Sequence, residues 1–208
     1  MRIAVLIYGR LNKCIEHYEN FIWAFGKEHT IDFFLSSDNS NEQLLNDFIQ
    51  LYKPIRYTND PIQYKCDLGN YPGKQPETNI HNMTCHFINK WRVFSLFEDY
   101  IHMENVQYDC IISLRVDLIF STMCNFENLE DNTIYIPCGF DYIDRGINDQ
   151  FAYGTFQVMK KYNLIYLNTI QMLESGLSIP HPESLTYANI QYYNIHIKRV
   201  DVSHCIER

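Results

Sequence analysis

Tyr108-Asp109-Cys110-Ile111-Ile112-Ser113-Leu114-Arg115-Val116-Asp117-Leu118-Ile119-Phe120 is the stretch that decides the fold. Its part 110–114 is a short apolar run, typical of a strand buried on both faces of an α/β sheet. Arg115 and Asp117 follow, and a buried strand does not tolerate such charges unpaired. Ligands of open α/β sheets bind at the carboxyl ends of central strands, and residues two apart on an extended chain point to the same side. The pair therefore predicts either a site for a divalent metal and a phosphate, or an Arg–Asp pair that closes the strand end.

The segments on both sides of this stretch alternate between strand and helix patterns. The pattern predicts strands at 2–8, 31–36, 55–57, 110–114, 133–137 and 195–200, and helices at 12–25, 41–52, 79–104, 155–175 and from 180 onward. Such alternation is typical of a mostly parallel sheet flanked by helices. We therefore expect a single, Rossmann-like α/β domain over residues 1–208. The Pro- and Gly-rich stretch 59–78 interrupts the pattern and predicts a long loop insertion, which we interpret as a lid or acceptor-binding loop.

Composition excludes some classes of function. The net charge is −8, which argues against nucleic-acid binding because no basic stripe is available, so a site for an anionic ligand must be made positive locally. The seven cysteines are scattered without a C-x-x-C pair, which favours reduced thiols in a cytoplasmic protein and makes a zinc site a poor expectation. No apolar run approaches 18 residues, so we expect no transmembrane segment.

Gly9 and Arg10 follow the first strand. The glycine lets the backbone approach a ligand closely, and the guanidinium can bind a phosphate. The G-x-G-x-x-G spacing of dinucleotide sites is absent. A plain strand-to-helix turn is the alternative for this dipeptide.

Two later segments carry carboxylates. Asn148-Asp149 precedes Gln150-Phe151-Ala152-Tyr153-Gly154, and His181-Pro182-Glu183 opens a helix. For Asp149 the structural alternative is a helix N-cap, and for Glu183 it is a favourable interaction with the helix macrodipole.

The longest predicted helix, at 79–104, also carries polar side chains. We expect its His86, Lys90 and Arg92 to be solvated or paired rather than catalytic. Its aromatic residues follow the helical spacing of a buried face.

Taken in order, Gly9-Arg10, Arg115-x-Asp117, Asn148-Asp149 and His181-Pro182-Glu183 resemble the motifs of small glycosyltransferases of the GT-A fold, as found in large DNA viruses and bacterial polysaccharide loci. The resemblance extends over about residues 1–200. It implies a GT-A type domain that transfers a sugar from a nucleotide-sugar donor to a glycan or protein-linked acceptor.

The resemblance also assigns roles to residues. It implies a donor site at Gly9, Arg10, Arg115, Asp117 and Asn148, with Asp149 as the general base and Glu183 as the alternative base. In such enzymes an Asp-x-Asp motif holds Mn²⁺ or Mg²⁺ against the diphosphate. Here only Asp117 matches, because Arg115 occupies the first position. Two alternatives follow: Arg115 itself contacts the diphosphate, or a second metal ligand comes from elsewhere, with His181 and Asp144 as the candidates.

Two other classes of function stay open at this point. One is a catalytically inactive nucleotide- or carbohydrate-binding protein of the same fold, which the single-carboxylate motif supports. The other is a structural virion or scaffold protein. For an enzyme of the resembled kind we expect a cytoplasmic location, in the host cytoplasm if the protein is viral.

Overall fold

A seven-stranded sheet forms the centre of the computed structural model, which describes residues 1–38, 41–64, 67–142 and 146–207. The strand order is β3-β2-β1-β4-β7-β6-β8. These strands are β1 (Arg2–Tyr8), β2 (Thr30–Ser36), β3 (Arg56–Thr58), β4 (Cys110–Arg115), β6 (Thr133–Pro137), β7 (Phe151–Gly154) and β8 (His196–Val200). Only β7 runs against its neighbours β4 and β6, and the other pairs are parallel. The mostly parallel α/β sheet expected from the sequence is therefore confirmed.

Helices cover both faces of this sheet. They are α1 (Cys14–Phe25), α2 (Glu42–Tyr52), α3 (Ile80–Glu104), α4 (Phe156–Asn163), α5 (Ile165–Glu174) and α6 (Pro182–Tyr192). Alternate residues of β1 point into different cores. One core holds Ile3, Val5 and Ile7 with α1 and α2, and the other holds Ala4, Leu6 and Tyr8 with α3, α4 and α6. The unbroken apolar run of β1 follows from burial on both faces.

Short polar residues set the ends of several helices. The Asn41 side chain accepts a hydrogen bond from the Leu44 backbone at the start of α2, and Asn79 does the same for Asn82 at the start of α3. Both are N-caps, which satisfy amide donors that the first helical turn leaves free. Gly26 ends α1 with φ of 88°, a conformation that favours glycine.

The structure differs from the sequence-based expectation between residues 151 and 175. The single helix expected at 155–175 is two helices, because the backbone of Leu164 has ψ of 5° and interrupts the helical path between α4 and α5. The segment before it, 151–154, forms β7, a strand that was not expected from the sequence. Its four residues are too few for a periodic pattern to distinguish strand from loop.

A small second sheet adjoins the end of β4. It pairs β5 (Leu118–Phe120) with β9 (His204–Ile206) in antiparallel fashion, and neither strand was expected from the sequence. Immediately after β9, the Glu207 backbone N–H donates to the Asp117 carbonyl at 2.9 Å. The chain at 202–207 is thereby held beside the Arg115-x-Asp117 motif.

Part of the 59–78 insertion is packed against the helices. A 3₁₀ turn at Leu68–Asn70 buries Leu68 in a cluster with residues of α3, α5 and α6. Gly73 has φ of 82°, and a side chain there would meet Ile179 at 2.5 Å. Lys65 and Cys66 of this insertion lie outside the described residues.

No helix in the described parts of the chain is long and apolar enough to cross a membrane.

Candidate functional site

A cleft of about 590 Å³ opens at the carboxyl ends of β1 and β4. Strands β2 and β3 lie on one side of β1, and β4, the next strand of this sheet along the chain, lies on the other side. Such a point, where the strand order reverses, is where open α/β sheets bind ligands. Seven of the residues to which the resemblance assigns a role line this cleft: Gly9, Arg10, Arg115, Asp117, Asp149, His181 and Glu183.

The reversed strand β7 explains how Asp149 reaches this edge. Because β7 is antiparallel to β4, the residues before β7 lie beside the residues that follow β4. The Arg115 backbone N–H donates to the Gln150 carbonyl at 3.0 Å, and the Tyr8 hydroxyl donates to the Asp149 carbonyl at 3.1 Å. Residues from three strands are thus joined at one point.

Gly9 and Arg10 form the β1 side of the cleft. Gly9 has φ of 108°, its backbone N–H donates to the Ser36 carbonyl at 3.1 Å, and no atom lies within 4 Å of where its side chain would be. The backbone therefore leaves room for a ligand to approach. Arg10 is exposed beside it and makes no ion pair with another described residue.

Arg115 and Asp117 bind each other directly. Arg115 Nε lies 3.1 Å from Asp117 Oδ1, and its Nη2 lies 2.6 Å from Oδ2, a bidentate pair. Burial alone would lower the pKa of Arg115, but Asp117 and Asp149 raise it, so the guanidinium stays charged. The Arg–Asp pair considered as one reading of the sequence is present in the structure.

The expected metal site lacks a donor set in the described parts of the chain. No group of three or more His, Cys, Asp or Glu side chains there is arranged to hold a metal ion. Both Asp117 oxygens contact Arg115, and His181 Nδ1 lies 3.0 Å from Glu183 Oε2. Asp144, the other ligand considered, lies outside the described residues. Metal dependence therefore stays a prediction.

Asp149 is almost fully buried at the bottom of the cleft. Its Oδ2 lies 3.3 Å from His86 Nε2, although the two atoms are not aligned for a hydrogen bond. Burial lowers the pKa of His86 to about 3, so this imidazole is neutral at physiological pH. The N-cap interpretation of Asp149 is wrong, because strand β7 and not a helix follows it.

Lys90 contradicts the expectation that it is solvated or paired. It is fully buried, and within the described parts of the chain its Nζ has no hydrogen-bond partner and no carboxylate at ion-pair distance. The ammonium lies 3.6 Å from the ring centroid of Tyr162 and 5.6 Å from that of Tyr8, which are cation–π contacts. Burial lowers the pKa of Lys90 to about 7, although the charge of Asp149 raises it. By contrast Arg92 is paired, since it donates to the Asp60 carbonyl at 2.8 Å.

Glu183 lies in the first turn of α6 and lines the same cleft as Asp149. Burial, with a contribution from the charge of Asp149, raises the pKa of Glu183 to about 7. The Glu183 carbonyl accepts from the Ile147 backbone at 3.1 Å, and a side chain at Gly146 would meet Glu183 Cβ at 2.9 Å. This close packing holds the segment before Asp149 against the start of α6. The two carboxylates proposed from the sequence are therefore brought together.

Asn148 lies behind the cleft and does not line it. Its Oδ1 accepts from the Gln150 backbone at 3.0 Å, and its own backbone N–H donates to Asp141 Oδ1 at 2.9 Å. The residue is fully buried. In this arrangement it shapes the turn that presents Asp149, and its expected contact with a donor stays a prediction.

Several cleft residues were not assigned a role from the sequence. Asp38 follows β2, and it accepts a hydrogen bond from Asn89 Nδ2 at 3.3 Å while Asn89 Oδ1 accepts from the Ser36 hydroxyl at 2.8 Å. Glu207 enters the cleft after β9, where its carboxylate lies 3.0 Å from His17 Nε2. A carboxylate just past the second strand was a visible signal for Asp38, whereas no local pattern pointed to Glu207.

The second part of the chain matches a known protein family. Residues 86–208, which include β4, Asp149 and Glu183, match DUF7796, a domain of unknown function. A search of curated proteins found no match. Since the matched residues make up more than half of the sequence, the chain belongs to the DUF7796 family.

Proposed function

We propose that this protein is a nucleotide-sugar-dependent glycosyltransferase with a GT-A type domain, which transfers a sugar to a glycan or protein-linked acceptor. The observation that carries the proposal is the meeting of two arginines with the buried Asp149 and the partly buried Glu183 in one cleft at the strand-order switch point. The arginines suit a diphosphate leaving group. The carboxylates suit proton transfer from an acceptor hydroxyl.

The donor would occupy the β1–β4 side of the cleft. Arg10 and Arg115 can form charge-assisted hydrogen bonds with the diphosphate, and the open space at Gly9 lets phosphates approach the backbone. Asp38, held by Asn89, stands at the end of the second strand, where an acidic residue binds ribose hydroxyls in related nucleotide sites. The guanidinium of Arg115 would share its hydrogen bonds between Asp117 and the leaving phosphate.

Asp149 is the proposed base. Glycosyl transfer with inversion needs a carboxylate that accepts the proton of the acceptor hydroxyl as the new bond to the anomeric carbon forms. As that bond forms, the bond to the diphosphate breaks, and positive groups stabilise the negative charge that leaves. Glu183, with its pKa of about 7, is the alternative base and would be ionised above neutral pH.

Thermal unfolding with UDP, GDP and dTDP, each with and without Mn²⁺, tests donor binding. One of them should raise the melting temperature, since a ligand at about 100 times its dissociation constant stabilises the folded state by roughly 2.7 kcal/mol. The matching nucleotide sugar should then be cleaved to release its nucleoside diphosphate.

Arg10→Ala should weaken nucleotide binding by about 1.5–3 kcal/mol, the value of a hydrogen bond to a charged group. Lys27→Met removes an exposed positive charge outside the cleft and should leave binding unchanged. If no nucleotide stabilises the protein, the proposal fails.

A catalytically inactive binding protein of the same fold is the second candidate. The bidentate Arg115–Asp117 pair favours it, because that pair occupies both oxygens of the one carboxylate that matches the metal motif. Such a protein would be stabilised by a nucleotide or a carbohydrate without releasing nucleoside diphosphate. The release assay therefore separates the two candidates.

A further inference from the structure

One wall of the cleft is built from the starts of two helices. It consists of Glu77, Thr78, Asn79 and Asn82 at the start of α3, with His181 and Glu183 at the start of α6, and we call it the helix-end wall. The two starts adjoin each other. The charge of Glu77 acts on His181, and Gly73, just before α3, packs against Ile179, just before α6.

Polar atoms of this wall are buried and have no hydrogen-bond partner among the residues that the structure describes. They are Thr78 Oγ1, His181 Nδ1 and Glu183 Oε2, and the first two residues are 8% and 7% exposed. His181 Nδ1 and Glu183 Oε2 lie 3.0 Å apart but are not aligned for a hydrogen bond with each other. A buried polar group without a partner is destabilising, so a ligand that supplies both donors and acceptors would be favoured here.

The charge of the cleft limits what this ligand can be. The carboxylates that line it are Asp38, Glu77, Asp117, Asp149, Glu183 and Glu207, whereas the described cations that line it are Arg10 and Arg115. Arg10 follows β1 and Arg115 is the last residue of β4, where it already pairs with Asp117. The helix-end wall itself carries carboxylates, amides, a hydroxyl and an imidazole but no lysine or arginine.

From this chemistry we infer that the helix-end wall is a carbohydrate subsite that accepts an uncharged sugar and rejects sugars that bear a carboxylate. A sugar hydroxyl can donate to Glu183 and accept from Thr78 or from an imidazole N–H. The apolar side chains of Met83 and Pro182, which also line the cleft, offer a surface for the C–H face of the ring. A uronate would place its charge beside Glu77 and Glu183 without a cation from the wall. That the bound sugar is the acceptor of the transfer rests on the proposed function; the sugar selectivity does not.

Saturation-transfer NMR titrations with matched sugar pairs test this inference. The probes are the methyl glycosides of glucose, galactose and mannose and the corresponding methyl uronides, measured with and without UDP. In each matched pair the members differ only at C6. At least one neutral glycoside should bind, and its uronide should bind weaker by roughly tenfold or more, since like charges at a binding surface repel strongly.

Two variants connect the result to the wall. Glu77→Gln should narrow the difference between glycoside and uronide, and Thr78→Ala should weaken binding of the neutral glycoside. Glu104→Gln removes the same charge from the far end of α3, some 36 Å away at 1.5 Å per residue, and should change neither. Absence of binding by all the glycosides, equal affinity for the uronides, or the same response to Glu77→Gln and Glu104→Gln would overturn the inference.

The test is separate from that of the proposed function. Selective sugar binding by a protein that no nucleotide stabilises would leave the subsite in place and remove the glycosyltransferase proposal. Nucleotide binding without any sugar binding would contradict the carbohydrate subsite and leave the glycosyltransferase proposal in place.

Discussion

Asp117 is interpreted either as a metal ligand or as the ion-pair partner of Arg115, and the two interpretations predict different effects of its substitution. If its carboxylate holds a divalent ion, Asp117→Asn should abolish the effect of Mn²⁺ on nucleotide binding. If its main role is to pair with Arg115, the substitution should free the guanidinium and leave nucleotide affinity unchanged or higher. Nucleotide titrations with Mn²⁺ and with a chelator distinguish the two. Unchanged binding with Mn²⁺ present would contradict the metal-site reading.

Asp149→Asn should affect the reaction but not the donor. The amide keeps the shape of the carboxylate, and the backbone bond from Tyr8 does not depend on the side chain. Nucleotide binding should therefore survive, whereas turnover should fall by roughly 10²–10⁴-fold, the usual contribution of a positioned base. Normal turnover in this variant would move the role of base to Glu183.

Lys90 gives the protein a specific pH dependence of stability. Its pKa is lowered from 10.5 to about 7 on folding, so between these values the unfolded chain binds more protons at this residue. The penalty for burying the charge is complete below about pH 7 and disappears as the pH rises towards 10.5. In Lys90→Met this penalty is absent. The stability advantage of the variant over the wild type should therefore shrink by up to about 1.4 kcal/mol per pH unit between pH 7 and 10.

Chemical denaturation across this pH range measures the difference. Lys27→Met, which replaces an exposed lysine, should show a constant difference from the wild type. A constant difference for Lys90→Met as well would mean that the lysine titrates in the folded protein as it does in water.

The burial of Lys90 could have been predicted from the helical spacing. Met83, Phe87, Phe94 and Phe97 follow steps of three and four residues, and position 90 completes the series. The charge of the side chain argued for the surface, whereas its place in the stripe decided the outcome. What the sequence did not indicate is that Tyr8 and Tyr162, from distant segments, would supply the aromatic faces above it.

Among the elements, the 59–78 insertion is divided between an anchored and an exposed part. Leu68 is buried, whereas the residues of 73–77 are mostly exposed beside the cleft. Hydrogen exchange should therefore be slow around Leu68 in the free protein. At 73–77 it should be fast and become slower when nucleotide and sugar are bound, as expected of a lid.

Leu68→Ala tests whether the buried Leu68 side chain anchors this part of the insertion. It should accelerate exchange around position 68 by removing the apolar anchor, with a cost of about 2–5 kcal/mol to the stability of that contact. Slow exchange at 73–77 in the free protein would argue for a fixed structural role of the whole insertion.

Elements with an apolar run or stripe were predictable, whereas the short strands β5, β7 and β9 were not. The bounds expected for β1, β6 and α3 agree with the structure to within a residue, because each has an unbroken apolar run or stripe. The strands β5 and β9 have three residues each and are stabilised by each other across more than 80 residues of chain. Such pairing depends on tertiary contacts that leave no local period.

For the whole molecule, the sequence predicted the class of sheet and the edge at which the site lies. The carboxyl ends of parallel strands share one edge, so Gly9-Arg10 and Arg115-x-Asp117 had to meet there. The position of Asp149 was not predictable in this way, since it depends on the direction of β7. The spacing of Arg115 and Asp117 allowed two interpretations, a site for a metal and a phosphate or an ion pair. Spacing alone does not show which group each side chain contacts.

Because helices cover both faces of the sheet, the fluorescence of a single tryptophan can report on one face at a time. Its two tryptophans lie on opposite faces of the sheet: Trp23 on α1 is 39% exposed, and Trp91 on α3 is partly buried with its ring 5.8 Å from that of Tyr166. Trp91 follows Lys90 directly in the helix that also carries His86 and Asn89 of the cleft. In Trp23→Phe the remaining indole emission would come from α3 alone, so its wavelength and intensity would follow ligand entry into the cleft without any attached dye.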